Sequence, residues 1–344
     1  MTVFSTAHFD DHEQVMFASD AETGLRAIIA IHNTNRGPAL GGCRMWDYAD
    51  EDAAIADVLR LSRGMTYKNA LADLPWGGGK SVIIGDATQV KTPDMMQAMG
   101  VAVDRLAGRY IVAEDVGTNP DDMVEVNRHT DHVRGVKGIG FDPSPATAYG
   151  CFAGIKASVQ ERLGRVSLEG TRVAIQGLGH VGYDLAQQLR EAGADLVVTD
   201  INQAALAKAK HELGAKVVAL DDIYAQDVDV FAPCALGAVI DDDTLPQLKA
   251  RIVAGSANNQ LAEARHGQAL ADAGILYAPD YVINAGGVIH IYHEGADYDK
   301  QVAFAHVGKI AETLEEIYAR ARKTGHTTGQ AADGIAEERF KKAA

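Results

Sequence analysis

The sequence has no surplus of basic residues and no long apolar run, and each absence removes a class of function. It contains 344 residues, of which 47 are acidic and 32 basic, so the formal net charge is −15 at pH 7. A chain with this charge lacks the positive field that nucleic acid or an anionic membrane surface requires. No apolar run approaches the roughly 20 residues needed to cross a membrane. We therefore expect no nucleic-acid partner and no membrane partner.

Cysteine is scarce, and its spacing matches no metal or disulfide framework. The three cysteines are far apart in the chain, at Cys43, Cys151 and Cys234. An odd count, with no export signal in the first ten residues, predicts reduced thiols in the cytoplasm. Three histidines near the end of the chain could be read as metal ligands, but cysteine and carboxylate partners at suitable spacing are missing. We expect no metal at His290, His293 and His306.

The length and composition fit a soluble globular protein of about two domains. Apolar residues make up 47% of the chain and charged residues 23%, which is ordinary for a protein with a real core. Strands and helices alternate along the second half, as in an α/β fold with a parallel sheet. The stretch 135–145 is rich in glycine and proline, and we interpret it as the hinge between the domains.

One stretch, residues 64–80, carries two lysines separated by a proline and three glycines. Lys68 is predicted at the end of an amphipathic helix that begins near Asp52, and Lys80 opens a strand-like run. We expect Gly77–Gly79 to form a turn with positive φ, where the backbone can pass close to a bound molecule. Two ammonium groups facing one cleft would disfavour each other's protonation, so one could accept a proton while the other binds an anion. Spacing alone favours the plainer alternative of a glycine-rich loop with two solvated lysines.

Two further candidates lie in the first half. The segment 37–42 is again rich in glycine and is a place where backbone can approach a ligand closely. Asp115 ends a predicted strand, at a position where sites tend to be built. Local sequence supports equally well an alternative in which Asp115 caps a helix that starts near 118–120.

In the second half, a glycine-rich motif lies between a predicted strand, 172–176, and a predicted helix. A second strand, 195–199, ends in Asp200. This context is the dinucleotide fingerprint, in which glycines let a pyrophosphate reach the helix N-terminus. Asp200 should accept hydrogen bonds from the adenosine ribose, and because Ile201 and its neighbours include no arginine, NAD is favoured over NADP. The alternative is a tight turn that binds nothing. The motif comprises Gly177, Leu178, Gly179, His180, Val181 and Gly182.

Polar or glycine-rich tips follow two later predicted strands, 228–232 and 251–254. Ligands of such sheets bind at the carboxyl ends of the strands, so these tips should line the cofactor crevice. Asn258 could bond the nicotinamide half of the cofactor, or it could only stabilise its loop. A strand followed by glycines is also predicted over 281–289, and a single long helix over 301–322. The tip residues singled out are Ala235, Leu236, Ala257 and Asn258.

Six segments together resemble the amino-acid dehydrogenase family, and within it the members that act on leucine, valine and phenylalanine. They are residues 65–80, 113–117, 177–182, 233–237, 255–261 and 277–289. The resemblance covers nearly the whole chain. It implies an N-terminal α/β substrate domain, a C-terminal Rossmann (doubly wound) domain and a cleft between them. It also implies a homo-oligomer. The implied bounds are 1–137 for the substrate domain, 138–324 for the NAD-binding domain, and a final helix over 325–344 that returns to the first domain.

The same resemblance implies an activity and roles for individual residues. The reaction would be reversible NAD-dependent oxidative deamination of an L-amino acid to its 2-oxo acid and ammonia, without a metal. Lys68 would bind the substrate carboxylate, Lys80 would be the catalytic base, and Asp115 would handle the amine proton. Substrate contacts would include Gly41 and Gly42, and Thr147 would join the residues that bind the cofactor.

The residues implied to surround the substrate side chain are all apolar: Leu40, Met65, Ala113, Val288 and Ile291. An apolar pocket disfavours glutamate, whose second carboxylate would need a buried cation. Phenylalanine dehydrogenases tend to carry glycine where Ala113 stands, so its methyl and the branched Val288 favour leucine, isoleucine or valine. Such a difference is worth only about 1–3 kcal/mol, and phenylalanine remains the alternative substrate.

An alternative of another class is a catalytically silent NAD-binding regulator that has kept the fold. The presence of Lys68, Lys80 and Asp115 weighs against it.

Overall fold

The computed structural model describes residues 3–138, 142–295 and 297–341, and the chain divides into two compact units. Unit 1 comprises Met1–Phe141, Glu294–Tyr298 and Ala336–Ala344, and unit 2 comprises Asp142–His293 and Asp299–Ile335. Each unit contains one sheet with helices packed on it, so the predicted two-domain α/β class is confirmed. Part of the predicted hinge (139–141) and the end of the predicted final helix (342–344) lie outside the described residues.

Unit 1 is built on a five-stranded sheet in the order β1-β2-β4-β3-β5. Its strands are β1 (Gln14–Asp20), β2 (Leu25–Asn33), β3 (Ala39–Trp46), β4 (Gly77–Ile84) and β5 (Tyr110–Glu114). β2 is antiparallel to β1 and β4, whereas β3 runs parallel to both β4 and β5. The carboxyl ends of β3, β4 and β5 therefore meet at one edge of the sheet.

The two faces of this sheet are covered by different helices. The helices of unit 1 are α1 (Glu51–Leu71), α2 (Pro93–Asp104) and α3 (Pro120–Asn127). Asp50 caps α1 by accepting from the backbone N–H of Ala53, and the acidic first turn suits the helix dipole. One face of the sheet packs against the methionines of α2 and against α3, and the other packs against α1 in a buried cluster that includes Val82 and Val58. Lys80 lies two residues before Val82, on the α1 side.

The expected positive-φ turn at Gly77–Gly79 is wrong, because these glycines are the first three residues of β4. Their lack of a side chain is a packing requirement. A Cβ on Gly78 would lie 2.0 Å from the backbone nitrogen of Thr66 in α1, and one on Gly77 would lie 2.0 Å from the carbonyl oxygen of Asn33. The glycines let a helix and a neighbouring strand approach β4 at backbone distance.

Unit 2 contains a parallel sheet in the order β11-β10-β9-β6-β7-β8. The strands are β6 (Arg172–Gln176), β7 (Asp195–Thr199), β8 (Lys216–Val217), β9 (Val230–Pro233), β10 (Ile252–Val253) and β11 (Leu276–Tyr277). The chain runs outward from β6 to β8 and then returns to β9 on the other side of β6. This reversal is the switch point at which doubly wound sheets bind ligands. The predicted bounds of β6 and β7 are confirmed.

Two predictions about the helices of unit 2 need correction. The helices are α4 (Ser144–Leu163), α5 (His180–Glu191), α6 (Gln203–Leu213), α7 (Arg265–Asp272), α8 (Asp280–Ile283), α9 (Gly286–His293), α10 (Lys300–Gly308), α11 (Ile310–Thr324) and α12 (Thr328–Lys341), whose residues from Ala336 onward belong to unit 1. The strand expected at the start of 281–289 is helical, since a short apolar run does not distinguish strand from helix. The single helix expected over 301–322 is interrupted after Gly308, a poor helix former.

Within the described ranges, no helix combines the length and the apolar character that crossing a bilayer would demand.

Candidate active site

Lys80 and Asp115 form an ion pair that reaches across an intervening strand. Lys80 lies on β4, Asp115 directly follows β5, and β3 runs between them. The register sets Gly42 of β3 level with Lys80 on one side and with Ala113 on the other. A Cβ on Gly42 would lie 2.8 Å from the Cβ of Asp115. Gly42 therefore leaves the space through which the lysine meets the carboxylate.

The pair is buried, and its charge is balanced by a second cation. Lys80 is 7% exposed, and Arg44 Nε lies 3.5 Å from Asp115 Oδ2. Burial alone would raise the pKa of Asp115, but the positive charges of Lys80 and Arg44 outweigh it and hold that pKa below its ordinary value. Asp115 is therefore a carboxylate at neutral pH, able to accept a proton from a substrate.

Arg44 was not identified from the sequence, because it lies in β3, a strand that the glycine-rich pattern of 37–42 concealed. Its Nη1 donates to Asp57 Oδ2 at 2.9 Å, and Tyr48 Oη donates to the same oxygen at 2.8 Å. A lone charged residue in the otherwise apolar run Ala39–Trp46 is the sequence signal that could have revealed it.

Met65 and Lys68 lie three residues apart on α1, so they share one side of that helix. Both are half-buried. The turn that holds them includes Thr66, which packs at backbone distance on Gly78 of β4. α1 thus carries Lys68 over the strand that carries Lys80.

Leu40 and Ala113 lie on the same face of the sheet as Lys80 and are 2% and 5% exposed. Gly41 alternates to the other face. A Cβ on Gly41 would lie 1.7 Å from the carbonyl oxygen of Gly79. The need for glycine at position 41 is therefore explained by strand packing, independently of any substrate.

The alternative in which Asp115 caps the following helix is wrong. The side chain of Asn119 accepts hydrogen bonds from the backbone N–H groups of Asp121 and Asp122. The backbone N–H of Asn119 in turn donates to Asp122 Oδ2. α3 is therefore capped without Asp115.

In unit 2, the glycine motif forms a cradle at the start of α5. Gly177 adopts φ = +100°, which favours glycine, and a Cβ on Gly182 would lie 2.1 Å from the carbonyl oxygen of Gly177. A Cβ on Gly179 would meet no atom within 4 Å. Gly179 is also the N-cap of α5, and no side chain caps this helix end. The cradle fits the pyrophosphate of a dinucleotide, because it offers open space and backbone N–H groups that a phosphate can accept from.

Asp200 connects the tip of β7 to this cradle. Its Oδ2 accepts from the backbone N–H of Leu178, and its Oδ1 accepts from that of Asn202 at 2.7 Å. Each carboxylate oxygen keeps a further lone pair for a ribose hydroxyl. Ile201 beside it is 82% exposed. The arrangement fits the predicted role of Asp200.

The tip that follows β9 lies against the cradle. A Cβ on Gly177 would lie 2.7 Å from the Cβ of Ala235, and Leu236 next to it is 78% exposed. Ala257 is buried, and Asn258 Oδ1 accepts from Asn284 Nδ2 at 2.7 Å. The polar tips predicted from the sequence thus follow strands at the switch point. Asn258 has a structural partner, which supports its alternative role as a loop-stabilising amide.

The other unit 2 candidates lie on or beside α9. Thr147 Oγ1 donates to the carbonyl oxygen of Pro143 at 3.0 Å and lies close to Gly287. Val288 and Ile291 are half-buried and three residues apart, so they share one side of α9.

Across 3–138, 142–295 and 297–341, no three His, Cys, Asp or Glu side chains are grouped so as to hold a metal ion. His293 Nε2 and His306 Nδ1 instead lie 3.0 Å apart and share a hydrogen bond.

Comparison with known proteins places these features in one family of sequences. The model of the Glu/Leu/Phe/Val dehydrogenase dimerisation domain matches residues 12–132, and that of the Glutamate/Leucine/Phenylalanine/Valine dehydrogenase domain matches 138–210 and 199–343. A leucine dehydrogenase of Geobacillus stearothermophilus is 52% identical over 343 residues, which cover 99% of this chain and 94% of the relative. An L-tryptophan dehydrogenase of Nostoc punctiforme is 47% identical over 341 residues, covering 99% and 96%.

Comparison with solved structures points to the same family. The crystal structure of the Nostoc punctiforme L-tryptophan dehydrogenase has a TM-score of 0.88 at 46% identity and covers 97% of each chain. A hetero-hexameric glutamate dehydrogenase from Thermus thermophilus has a TM-score of 0.80 at 21% identity, covering 97% of this chain and 89% of that one. The second likeness concerns the fold alone.

Proposed function

Because the chain belongs to the Glu/Leu/Phe/Val dehydrogenase family, we propose that it catalyses the reversible NAD-dependent oxidative deamination of branched-chain L-amino acids. Leucine is the proposed first substrate, followed by isoleucine and valine. One amino acid, one NAD⁺ and one water would yield a 2-oxo acid, an ammonium ion, NADH and a proton. The observation that carries the proposal is the buried Lys80–Asp115 pair at the carboxyl edge of the unit 1 sheet.

The side chains of unit 1 have distinct roles in the proposed reaction. Lys68 binds the substrate carboxylate. Asp115, held ionised by its neighbours, accepts a proton from the substrate ammonium group. After the substrate loses hydride from Cα, neutral Lys80 takes a proton from the water that attacks the resulting imine carbon, and ammonia then leaves.

NAD, when bound, supplies the nicotinamide ring that accepts the hydride. In this proposal the cradle at Gly177–Gly182 holds the pyrophosphate, and Asp200 with Ile201 meets the adenosine ribose. A carboxylate at position 200 would repel the 2′-phosphate of NADP, and no arginine stands at 201–203 to accept it. The remaining proposed contacts are Thr147, Ala235, Leu236, Ala257 and Asn258.

Substrate choice is proposed to depend on five apolar side chains. Leu40, Met65 and Ala113 come from unit 1, and Val288 and Ile291 from unit 2. Their size favours a branched aliphatic side chain over an aromatic one. Relatives named as leucine, phenylalanine and tryptophan dehydrogenases are all about half identical to this chain, so the preference is the finest part of the proposal.

We also propose a homo-oligomer in the cytoplasm. The family model that matches unit 1 is that of a dimerisation domain. The three cysteines are free thiols, which is typical of a reducing compartment.

A substrate panel tests the function directly. We would measure kcat/KM for leucine, isoleucine, valine, phenylalanine and tryptophan at alkaline pH, with NAD and separately with NADP. The proposal expects the branched-chain substrates to rank first and NAD to be preferred, and it expects Asp200→Ala to relax that preference. A higher kcat/KM for phenylalanine or tryptophan would overturn the substrate assignment. Intact NAD binding without turnover of any amino acid would identify a silent regulator instead.

A further inference from the structure

Arg44 lies beside Asp115 and has no role in the reaction steps proposed above. The register of β3 puts it two residues beyond Gly42, and β3 pairs with β5 up to Cys43 and Glu114. Arg44 and Asp115 are therefore neighbours at the carboxyl ends of adjacent parallel strands. Its Nε approaches Asp115 Oδ2, the same oxygen that Lys80 contacts. One carboxylate oxygen thus faces two cations.

The guanidinium is fixed from its other end. Arg44 Nη1 donates to Asp57 Oδ2 at 2.9 Å, and Arg60 Nη2 donates to Asp57 Oδ1 at 2.8 Å. Burial would raise the pKa of Asp57, but the hydrogen bond from Tyr48 and the charge of Arg44 outweigh it and lower that pKa. Asp57 on α1 therefore stays ionised and holds Arg44 against Asp115.

Lys80 and Arg44 differ in one respect that matters for a base. In the proposed reaction Lys80 must be uncharged when it takes a proton from water. Asp115 must still be ionised when the substrate ammonium group gives it a proton, and Lys80 is by then already neutral. If Lys80 were its only cationic neighbour, Asp115 would lack a counter-ion at that stage, and a buried carboxylate without a partner tends to take up a proton. A guanidinium keeps its charge at every accessible pH, whereas an ammonium does not.

We propose that Arg44, held by Asp57, is a positioning residue that serves as the permanent counter-ion of Asp115 and keeps it ionised while Lys80 is neutral. This inference rests on the proposed function for its role in catalysis. The electrostatic part concerns this chain alone.

The other groups that surround Asp115 leave this role to Arg44. Burial raises the pKa of Cys43 to about 12 and raises those of Tyr48 and Tyr110 further, so these three stay uncharged over the working range. Among the described residues, the titratable and charged groups near Asp115 include Lys80 from β4, Arg44 and Cys43 from β3, Tyr110 from β5 and Tyr48 from the segment after β3, with Asp57 of α1 behind Arg44.

The direct test titrates Asp115 without any turnover. The chain is labelled with ¹³C at aspartate carboxyl groups, and the Asp115 signal is assigned by its loss in Asp115→Asn. An opposite charge within about 4–6 Å lowers a carboxyl pKa by 1–3 units, so Arg44→Gln should raise the titration midpoint by about one unit or more. Arg36→Gln is the matched control, because it removes an arginine of unit 1 that pairs with Asp73, and its midpoint should stay at the wild-type value.

The kinetic test measures the pH profile of kcat/KM for leucine. Arg44→Gln should move the acid limb to higher pH by about the same amount, so that kcat/KM at a pH on that limb falls roughly tenfold. If Arg44→Gln does not fold, Arg44→Lys takes its place. Lysine keeps the positive charge but lacks the forked guanidinium that contacts both Asp115 and Asp57. We then expect the Asp115 titration midpoint to rise by about half a pH unit.

An unchanged Asp115 midpoint in the folded Arg44 variant overturns the inference, whatever the activity. A shifted midpoint with an unshifted acid limb overturns its catalytic part. If no amino acid is turned over by the wild-type chain, the proposed function fails while the titration still decides the electrostatic claim.

Discussion

Two glycine-rich segments, 77–79 and 177–182, look alike in the sequence and do opposite things in the structure. In the first, the glycines have ordinary strand φ values and no room for a side chain, since backbone atoms occupy the Cβ positions of Gly77 and Gly78 and the Tyr110 ring occupies that of Gly79. In the second, Gly177 needs its positive φ, and Gly179 faces open space at the start of α5. In the first segment, the missing side chains let α1 pack closely on the strand that carries Lys80. In the second, the missing side chain of Gly179 leaves room for a ligand.

The comparison shows that glycine content alone does not identify a binding loop. What separates Gly77–Gly79 from Gly179 is whether the position of the missing Cβ is filled by protein or left open. Substitutions that add a Cβ should therefore affect stability at Gly78 and ligand affinity at Gly179.

The largest effect is expected for Gly78→Ala. Its Cβ would lie 2.0 Å from the backbone nitrogen of Thr66, so α1 must move off β4. We expect the free energy of unfolding to fall by about 3 kcal/mol or more, measured by urea denaturation. Gly64→Ala, in the same helix but with no atom within 4 Å of its Cβ, is the control and should stabilise the chain by up to about 1 kcal/mol. Equal stability of Gly78→Ala and wild type would remove the packing explanation.

A smaller effect is expected from the pH dependence of the same contact. Thr66 forms a 2.7 Å hydrogen bond with His32 Nδ1. Burial, together with the charge of His12, lowers the pKa of His32 from 6.5 to about 4, although Asp10 opposes the shift. Because the folded pKa is the lower one, the stabilisation from His32 is complete above pH 6.5 and is lost as the pH falls toward 4.

We therefore expect wild type to lose about 2 kcal/mol more free energy of unfolding than His32→Gln when urea denaturation is moved from pH 7.5 to pH 4.5. If both chains lose the same amount, His32 is not neutral in the folded state.

The smallest effect on stability is expected in the second segment. Gly179→Ala adds a methyl to open space at a residue with extended backbone, so the free energy of unfolding should change by less than about 0.5 kcal/mol. The same methyl would occupy the proposed pyrophosphate position, and the Kd for NADH, measured by fluorescence titration, should rise roughly tenfold. Unchanged affinity would show that the phosphates bind elsewhere.

Local patterns predicted the dinucleotide half of the fold well. β6, the cradle, α5 and β7 are contiguous in sequence, and each boundary carries its own signal: a buried run, a glycine or an acid at the strand tip. The order of strand, glycine motif and helix can therefore be predicted from the sequence without knowledge of any long-range contact.

Unit 1, which carries Lys68 and Lys80, was harder to predict because its geometry depends on contacts between segments that are distant in the sequence. The sequence did not predict β3, because its glycines are typical of a loop. The structure shows that Gly41 and Gly42 lie in a strand, where backbone atoms of the neighbouring strands leave no room for a side chain. The position of Arg44 beside Asp115 follows from the pairing of β3 with β5, which joins segments about 70 residues apart in the sequence. The run 281–289 was assigned to the wrong element, because a short apolar segment has no decisive period and its packing against α4 decides the outcome.

The resemblance placed Lys80 and Asp115 in one site, and the structure brings them into contact. Spacing alone had favoured solvated lysines, because no local pattern predicts a pair that forms across a glycine of a third strand. Whether these residues act on a substrate stays a prediction.

A comparison of rates decides whether Lys80 is the base of the proposed reaction. We would measure kcat/KM for leucine with NAD in wild type, Lys80→Ala and Lys91→Ala, after confirming that all three bind NADH. Lys91 pairs with Asp122 and donates to the carbonyl oxygen of Gly117, so it is a paired lysine of the same unit and serves as the matched control. If Lys80 is the base, Lys80→Ala should lose roughly a hundredfold or more in kcat/KM while Lys91→Ala stays within a few-fold of wild type. Equal turnover by Lys80→Ala and wild type would contradict it.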